Sequence, residues 1–277
     1  MVERLNNSTG VLATLRALQG AAVDLSRSDG RLASTLRVTS ARDDVAAFHS
    51  SEIMKAQGSS LNAVTMSLSR AESISDTAIA AAEQVSDLLI AMQETVTAAT
   101  GEDLTPEQRA DWMNRFADQK RQIEAFIRNA TFDDANILDG SKPQGVSFIA
   151  DSEASVMLTL AGRNFLPGLD IVTLDTYHDL HNVQNAFEAR AALEQSIRNV
   201  GDQLTEMAGE RKRIEAQKGF VGKLADALAA GVGRMVDADL AYESALIQAL
   251  QVKQQLAVQS IGIVNAAPQT LLSLFRG

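Results

Sequence analysis

The residue types that could carry chemistry are few in this chain and lie in two places. The segment His178–His181 contains two histidines and an aspartate, with Asp175 just before it, and these side chains are metal ligands in many proteins. Asp43 and Asp44 are adjacent carboxylates, which can share acid–base work. The histidine spacing favours a polar connector before the next helix over a metal site. The two aspartates are typical of a helix N-terminus, where the macrodipole favours acids.

Other catalytic signatures are missing from the sequence. The chain has no cysteine, which excludes thiolate metal sites, disulfides and cysteine nucleophiles. It also has no Walker A loop, no GxGxxG fingerprint and no GxSxG elbow. We therefore expect no catalytic residues, no bound metal and no cofactor, and a protein that is not an enzyme.

The composition indicates a helical protein with an acidic middle. Hydrophobic residues make up 45% of the 277 residues but aromatic residues only 4%, which suits helices packed through aliphatic side chains. The net charge of −10 argues against nucleic acid as a partner. Residues 51–219 hold a net −11, while both ends are close to neutral. No run of apolar residues is long enough for a membrane span, and no apolar segment typical of a cleaved signal peptide follows the start.

Two long stretches without proline show apolar residues at alternating steps of three and four, the period of coiled-coil seams. In the first half, the stripe consists of Leu61, Val64, Leu68, Ala71, Ser75, Ala78, Ala82, Val85, Leu89, Met92 and Val96. In the second half, it consists of Leu193, Ile197, Val200, Leu204, Met207, Arg211 and Ile214. Both patterns predict long helices.

The same rhythm occurs near both ends of the sequence. The early stripe consists of Leu15, Leu18, Ala22, Leu25, Leu32 and Leu36. The late stripe consists of Val236, Leu240, Glu243, Ile247, Leu250, Gln254, Ala257, Ile261 and Val264. A bundle within one chain would explain any single stripe. Strong seams at chain ends, where fraying is common, favour pairing with the ends of neighbouring copies.

The remaining segments are shorter. Thr105, Pro106 and Glu107 form a helix start, which predicts a helix over Thr105–Ala130. Residues 140–178 alternate apolar and polar positions between glycines and prolines, which predicts a β-hairpin or small sheet. Pro268 is expected to end the last long helix after Val264.

Three motifs, in order, resemble the bacterial flagellins. The stretch GRLASTLRVTSARDDVAAF over Gly30–Phe48 matches the family's R-L-S-S-G-x-R-I-N-S-A-x-D-D-A-A-G signature. The stretch ATFDDANILDG over Ala130–Gly140 resembles T-x-F-N-G-x-x-L-L-D-G. The stretch from Val236 to Arg276 resembles the C-terminal pattern, with its D-A-D-x-A-x-E helix and closing P-Q-x-x-L-x-L-x-R. The chain resembles the compact alphaproteobacterial type, without large outer domains.

The chain departs from the family pattern at a few positions. Thr35 and Ala47 stand where the family often has glycine, and Asp133-Asp134 replaces Asn-Gly. The resemblance implies a mainly α fold with coiled-coil-like helices. Residues 1–33 and 236–277 would form the inner tube, residues 34–139 and 179–235 a helical-bundle layer, and residues 140–178 a small inserted β region.

The resemblance also implies which residues assemble the filament. Ser34–Ala41 would join the tube to the next layer, and the arginines there could bridge carbonyls and carboxylates of neighbouring subunits. The candidate assembly residues are Leu12, Leu15, Leu18, Leu25, Arg31, Leu32, Leu36, Arg37, Arg42, Asp43, Ile247, Leu250, Ala257, Ile261, Val264, Leu271, Leu274 and Phe275. The candidate O-glycosylation sites, for which plain hairpin hydroxyls are an equal alternative, are Ser147, Ser152, Ser155 and Thr159.

A flagellin would polymerise with itself and with other flagellins into the extracellular filament used for swimming. Its further expected partners are the flagellar type III export apparatus, a secretion chaperone, and the cap and hook-junction proteins, with no nucleic acid and no membrane insertion. Two alternatives stay open. A hook–filament junction protein shares the terminal motifs, and an intracellular coiled-coil scaffold shares the helical pattern.

Overall fold

The computed structural model describes residues 2–175 and 178–274, with side-chain burial for 11–175 and 178–263. Within these ranges the chain forms long helices and one hairpin, which confirms the mainly α prediction. The helices are α1 Val2–Ser34, α2 Val45–Ala99, α3 Pro106–Asn129, α4 Val183–Val236 and α5 Leu240–Leu274. The strands are β1 Val146–Ile149 and β2 Met157–Leu160, which pair antiparallel with Val146 opposite Leu160.

The chain divides into two compact units. Unit 1 comprises residues 1–56 and 227–277, and unit 2 comprises residues 57–226. Unit 1 therefore combines α1 and α5 with the adjoining turns of α2 and α4. Unit 2 contains the rest of α2 and α4 together with α3 and the hairpin.

Helix α2 forms the centre of unit 2. Every residue of its predicted stripe from Leu61 to Val96 is buried, including the polar Ser75. Helix α4 lies antiparallel to it, because Lys218 Nζ is 2.7 Å from Glu72 Oε2 while Arg211 pairs with Asp76. The predicted α4 stripe is buried at Leu193, Val200, Met207 and Ile214, and the other stripe positions are half-buried.

Helix α3 begins where the sequence predicts. The Thr105 side chain accepts a hydrogen bond from the Gln108 amide at 3.2 Å, and the Gln108 side chain accepts one from the Thr105 amide at 3.0 Å. This capping box satisfies two amide groups that the helix cannot pair internally. Pro106 occupies the first turn, where its missing donor is not needed.

The segment after α3 turns sharply. Phe132 and Ala135 exchange backbone hydrogen bonds of 3.1 and 3.0 Å, and the residues between them, Asp133 and Asp134, have φ of 49° and 58°. Two central residues with positive φ are characteristic of a type I′ turn. Asn-Gly is the preferred pair for this turn, and Asp-Asp fulfils the same role here at the cost of some backbone strain.

A buried arginine fixes the hairpin region to α4. Arg163 has only 4% of its side chain exposed and lies 2.9 Å through Nη2 from Glu210 Oε1, while its Nε donates to Gln203 Oε1 at 2.8 Å. Gln217 adds a hydrogen bond of 2.7 Å to the Ala150 carbonyl. The hairpin itself forms over the predicted residues.

One predicted boundary is wrong. Helix α5 does not end at Val264 but continues through Pro268 to Leu274. A proline removes one backbone donor from a helix, but its fixed φ is helical, so the remaining hydrogen bonds can carry the helix past it. No helix in the described residues combines the length and apolar character needed to cross a membrane.

Candidate assembly surface

In unit 1, α1 packs against α5 along a narrow seam. The least exposed side chains of α5 alternate in steps of four and three and are Glu243, Ile247, Leu250, Gln254, Ala257 and Ile261. Those of α1 follow the same rhythm and are Val11, Thr14, Leu18, Ala21, Leu25 and Ser28. Much of the α1 side of the seam is small or polar, so the pair buries few large side chains.

A second apolar row lies on the opposite face of α5. Val252, Leu256 and Ile263 are 54%, 57% and 73% exposed. At 100° per residue they fall within about 40° of one another and roughly opposite the seam. On α1, Leu12, Leu15 and Val23 are also exposed and fall within about 80° of one another, whereas the exposed Leu32 lies on the side of the seam. Exposed apolar rows of this extent mark surfaces that bind another protein.

The two connectors of unit 1 are hydrogen-bonded to each other. The Arg37 and Val38 amides donate to the Val236 carbonyl at 2.7 and 3.2 Å, and the Ala238 amide donates to the Thr35 carbonyl at 3.0 Å. Leu36 and Asp237 form an isolated antiparallel bridge. These bonds join the end of α1 to the turn between α4 and α5, and they satisfy the polar backbone of both connectors.

Two predicted arginines act within the same chain. Arg31 Nη1 lies 3.2 Å from Oε1 of the buried Glu243, and Arg37 Nη2 donates to the Met235 carbonyl at 2.6 Å. Glu243 Oε2 is buried without a hydrogen-bond partner in the described part of the chain, so this carboxylate depends on Arg31. The expectation was for bridges between neighbouring subunits. These two contacts lie inside unit 1, and the bridges between neighbouring subunits stay a prediction. Arg42 is exposed.

The connector aspartates hold local backbone. Asp43 Oδ2 accepts from the Thr39 hydroxyl and amide at 2.9 and 3.1 Å, and from the Ser40 amide at 3.1 Å. These bonds, led by the one from the Thr39 hydroxyl, lower the pKa of Asp43. Asp44 Oδ1 accepts from the Ala47 amide at 3.0 Å and caps α2. Asp239 caps α5 in the same way, through the Ala241 and Tyr242 amides.

The candidate assembly residues fall into three groups. Buried or half-buried in unit 1 are Leu18, Leu25, Arg31, Leu36, Ile247, Leu250, Ala257 and Ile261. Exposed are Leu12, Leu15, Leu32, Arg37, Arg42 and Asp43. The side chains of Val264, Leu271 and Leu274, and all of Phe275, lie outside the described residues.

Sequence reasoning missed several residues of this surface. The early stripe agrees with the seam at Leu18 and Leu25 but differs elsewhere, because Ala22 is exposed while Ala21 and Ser28 are buried. Val252, Leu256 and Ile263 were overlooked because a search for one stripe per helix does not report a second face. Glu243 appeared in the late stripe, and a charged residue at a seam position was the signal for the buried ion pair.

The hairpin hydroxyls differ in availability. The Ser147 and Thr159 hydroxyls lie 2.8 Å apart and bond to each other, and the Ser155 hydroxyl bonds the Asp151 carboxylate. Ser152 is exposed, and its hydroxyl has no hydrogen-bond partner among the described residues. Ser152 is therefore the most accessible of the four candidate positions.

The histidine segment serves as a connector. His178 Nδ1 lies 2.7 Å from Asp175 Oδ1, and Lys120 Nζ donates to the Asp175 carbonyl at 2.5 Å. Burial lowers the pKa of Lys120, while nearby acids oppose that shift. Across residues 2–175 and 178–274, no cluster of three or more histidine or acidic side chains is arranged to hold a metal ion.

Comparison with known proteins gives two matching family models. The one described as "Bacterial flagellin N-terminal helical region" matches residues 5–143, and the one described as "Bacterial flagellin C-terminal helical region" matches residues 191–275. Together they cover most of the chain, including both helices of the seam.

Individual proteins give the same result. Flagellin FljJ of Caulobacter vibrioides is 43% identical over 186 residues, 67% of each chain. Flagellin FljK of the same organism is 33% identical over 272 residues, 98% of each chain, and a Brucella melitensis flagellin is 26% identical over the whole of both chains. A solved structure described as a flagellar hook-associated protein of Vibrio parahaemolyticus covers 70% of this chain and 100% of its own, with a TM-score of 0.57 at 15% identity, which shows a shared fold.

Proposed function

This chain belongs to the bacterial flagellin family, and we propose which of its surfaces carry out the family's structural role. It is a structural subunit of the flagellar filament, a polymer of many copies outside the cell. Contacts in such a polymer are heterologous and do not close, so the surfaces that meet must differ and must both stay open on the free subunit.

The assembly surface we propose is the pair of exposed apolar rows on α1 and α5. The observation that carries this proposal is the second apolar face of α5, formed by Val252, Leu256 and Ile263. A helix needs only one apolar face to pair with α1. The opposite face costs free energy in water unless a neighbouring copy covers it.

The proposed layers follow the family resemblance. Residues 1–33 and 236–277 would line the inner tube, residues 34–139 and 179–235 would form the surrounding helical layer, and residues 140–178 would lie outside it. The bonds between the Thr35–Val38 backbone and the turn after Val236 lie within unit 1, and they support a fixed geometry at the point where both proposed tube segments end.

The proposed partners are other copies of this chain and other flagellins, the type III export apparatus with a secretion chaperone, and the cap and hook-junction proteins. We also propose that the protein is not an enzyme. The likeness to a hook-associated protein concerns the fold alone. The alignment with Flagellin FljK, at 33% identity, covers 98% of the chain. This difference favours a filament subunit over a junction protein.

Replacement of Leu256 by Asp tests the assembly surface. We expect the purified variant to keep its helical content and thermal stability, since Leu256 is exposed, and to lose filament formation, because each lattice position would bury an unpaired charge. Seeded polymerisation followed by sedimentation and electron microscopy is the readout. Gln255→Asp is the matched control, with the same new charge one position away on a polar residue, and it should polymerise.

Two outcomes would count against this proposal in different ways. If the unaltered chain forms no filaments with seeds or in cells, the filament function is wrong for this chain. If the unaltered chain polymerises and Leu256→Asp polymerises equally well, the function stands but the α5 face does not carry it.

A further inference from the structure

The charge of unit 2 is concentrated in one half of the unit. The Lys218–Glu72 pair and the Arg163–Glu210 pair show which segments lie at the same position along the long axis of the α2 and α4 helices in unit 2. Residues 57–79, 128–163 and 209–226 form one half and contain nine Lys or Arg and ten Asp or Glu. Residues 80–127 and 164–208 form the other half and contain six Lys or Arg and sixteen Asp or Glu. One half is therefore almost neutral, and the other carries a net −10.

The near-neutral half has a basic and apolar face on α4. We define the α4 face as Lys212, Arg213, Phe220, Lys223 and Leu224, all of which are exposed. At 100° per residue these side chains fall within about 120° of one another, so apolar and basic groups alternate on one side of the helix.

The cations of the α4 face differ from their neighbours on α4 in their ion pairs within the described residues. Arg211 and Lys218, which lie close by in sequence, pair with Asp76 and Glu72. Lys212, Arg213 and Lys223 form no ion pair in the described part of the chain. Phe220 is exposed between them, and an aromatic anchor among cations is a common composition for a protein-binding surface.

The complementary charges lie at the far end of the same unit. The acidic end consists of Glu102, Asp103, Glu107 and Asp111, all exposed, around the turn from α2 into α3. None of the four forms an ion pair within the described residues. Lys218 lies level with Glu72, and the helix from Glu72 to Ala99 is about 40 Å long at 1.5 Å per residue. The acidic end therefore cannot reach the α4 face of its own copy.

We propose that the α4 face of one copy binds the acidic end of unit 2 of a second copy in the filament. The inference rests on the proposed function, because it assumes that copies assemble. Two net-negative units repel each other at most orientations, and this orientation brings opposite charges together. The two surfaces differ, so the contact is heterologous and repeats without closing.

A pair of reversed variants tests the contact. The first carries Lys212→Glu, Arg213→Glu and Lys223→Glu, and the second carries Glu102→Lys, Asp103→Lys and Asp111→Lys. In either variant alone both proposed surfaces have the same sign, so we expect the critical concentration for seeded polymerisation to rise at least about tenfold. In an equimolar mixture each reversed surface meets an opposite one, so the mixture should polymerise near the concentration of the unaltered chain.

The control carries Arg128→Glu, Lys142→Glu and Arg198→Glu, which changes the net charge as much as the first variant does, at exposed positions outside the α4 face. It should polymerise at a lower concentration than the first variant. Circular dichroism must show that every variant is folded. If the control fails as badly as the first variant, or the mixture fails as badly as each variant alone, the proposed contact is wrong. Failure of the unaltered chain to polymerise would instead count against the filament function.

Discussion

At the residue scale, four non-glycine residues of the described chain have positive φ, and three of them stand where the family pattern has glycine or asparagine. Thr35 has a φ of 60°, and Asp133 and Asp134 have φ of 49° and 58°. The left-handed region is unfavourable for a β-branched side chain such as that of Thr35. Of the departures from the family pattern, Thr35 and Asp133-Asp134 therefore strain the backbone, whereas Ala47 lies within α2 and does not.

Replacement of Thr35 by Gly should relieve this strain. We expect the free energy of unfolding to rise by about 1 kcal/mol, because glycine adopts positive φ without a steric penalty. Urea unfolding of the free subunit measures the change, and Thr35→Ala should give a smaller effect because it keeps a Cβ. A lower midpoint for Thr35→Gly would contradict the strain interpretation.

The carboxylate of Asp43 contributes to the stability of the folded chain in a way that depends on pH. Hydrogen bonds from Thr39 and then Ser40 place its pKa in the folded chain below the ordinary value of 3.8. Its contribution to stability is therefore complete above about pH 4 and is lost as the pH falls through the lower folded value. We expect Asp43→Asn to be less stable than the original chain at pH 6, with the difference shrinking towards pH 3. Thermal unfolding across that range is the measurement, and a constant difference would show that the charge is not responsible.

At the element scale, the sequence predicted every residue of the buried α2 stripe but only part of the α1 seam. The α2 stripe consists of apolar residues and one serine that are all buried, so pattern and packing agree. The α1 seam contains Thr14, Ala21 and Ser28, while Leu12 and Leu15 remain outside it. A search for hydrophobic periodicity follows the leucines, so it finds Leu18 and Leu25 but not the small and polar residues of the seam.

We expect the buried Arg163 to contribute more to the free energy of unfolding than an exposed arginine of the same chain. Arg163→Met leaves Glu210, which is 11% exposed, without its charge partner, and we expect a loss of about 3 kcal/mol in unfolding free energy. Arg190→Met is the matched control, since Arg190 and Glu194 are 44% and 39% exposed, and the change should be within about 0.5 kcal/mol. An equal loss of unfolding free energy in Arg163→Met and Arg190→Met would show that the buried position of Arg163 gives it no special role in holding the hairpin.

The hairpin hydroxyls differ in whether they are hydrogen-bonded, and this difference gives a test of glycosylation. Filament protein sheared from cells should show a mass above the 29.6 kDa of the chain, and Ser152→Ala should remove more of the excess than Ser147→Ala. The reason is that the Ser147 hydroxyl is held by Thr159 whereas Ser152 is exposed. An intact mass equal to that of the unmodified chain would end the proposal.

At the scale of the whole molecule, deletion of residues 264–277 separates folding from assembly. We expect the shortened chain to stay soluble and helical, since unit 2 and most of the α1–α5 seam remain, and to form no filaments. A second variant with Leu271→Gln and Leu274→Gln keeps the length and removes apolar side chains only. Thermal unfolding and filament yield by electron microscopy should be measured side by side. Filaments of normal length from the shortened chain would show that the end of α5 is dispensable for assembly.

The sequence predicted the helices, the hairpin and the family, because each depends on a local pattern or a motif. It did not predict that the connectors pair with each other, since the Thr35–Ala238 and Arg37–Val236 bonds join segments some two hundred residues apart and leave no periodic signal. Nor did it predict the continuation of α5 past Pro268, where the helical bonds on both sides outweigh the lost donor.

The ion pair between Arg31 and Glu243 joins residues that are 212 positions apart in the chain. Helix α1 therefore cannot find its partner until synthesis has passed Glu243. A chain whose synthesis stopped before Glu243 would contain α1 without its partner helix α5. We expect the pairing of α1 with α5 to work as a check on completeness, so that prematurely terminated products are kept out of the growing polymer.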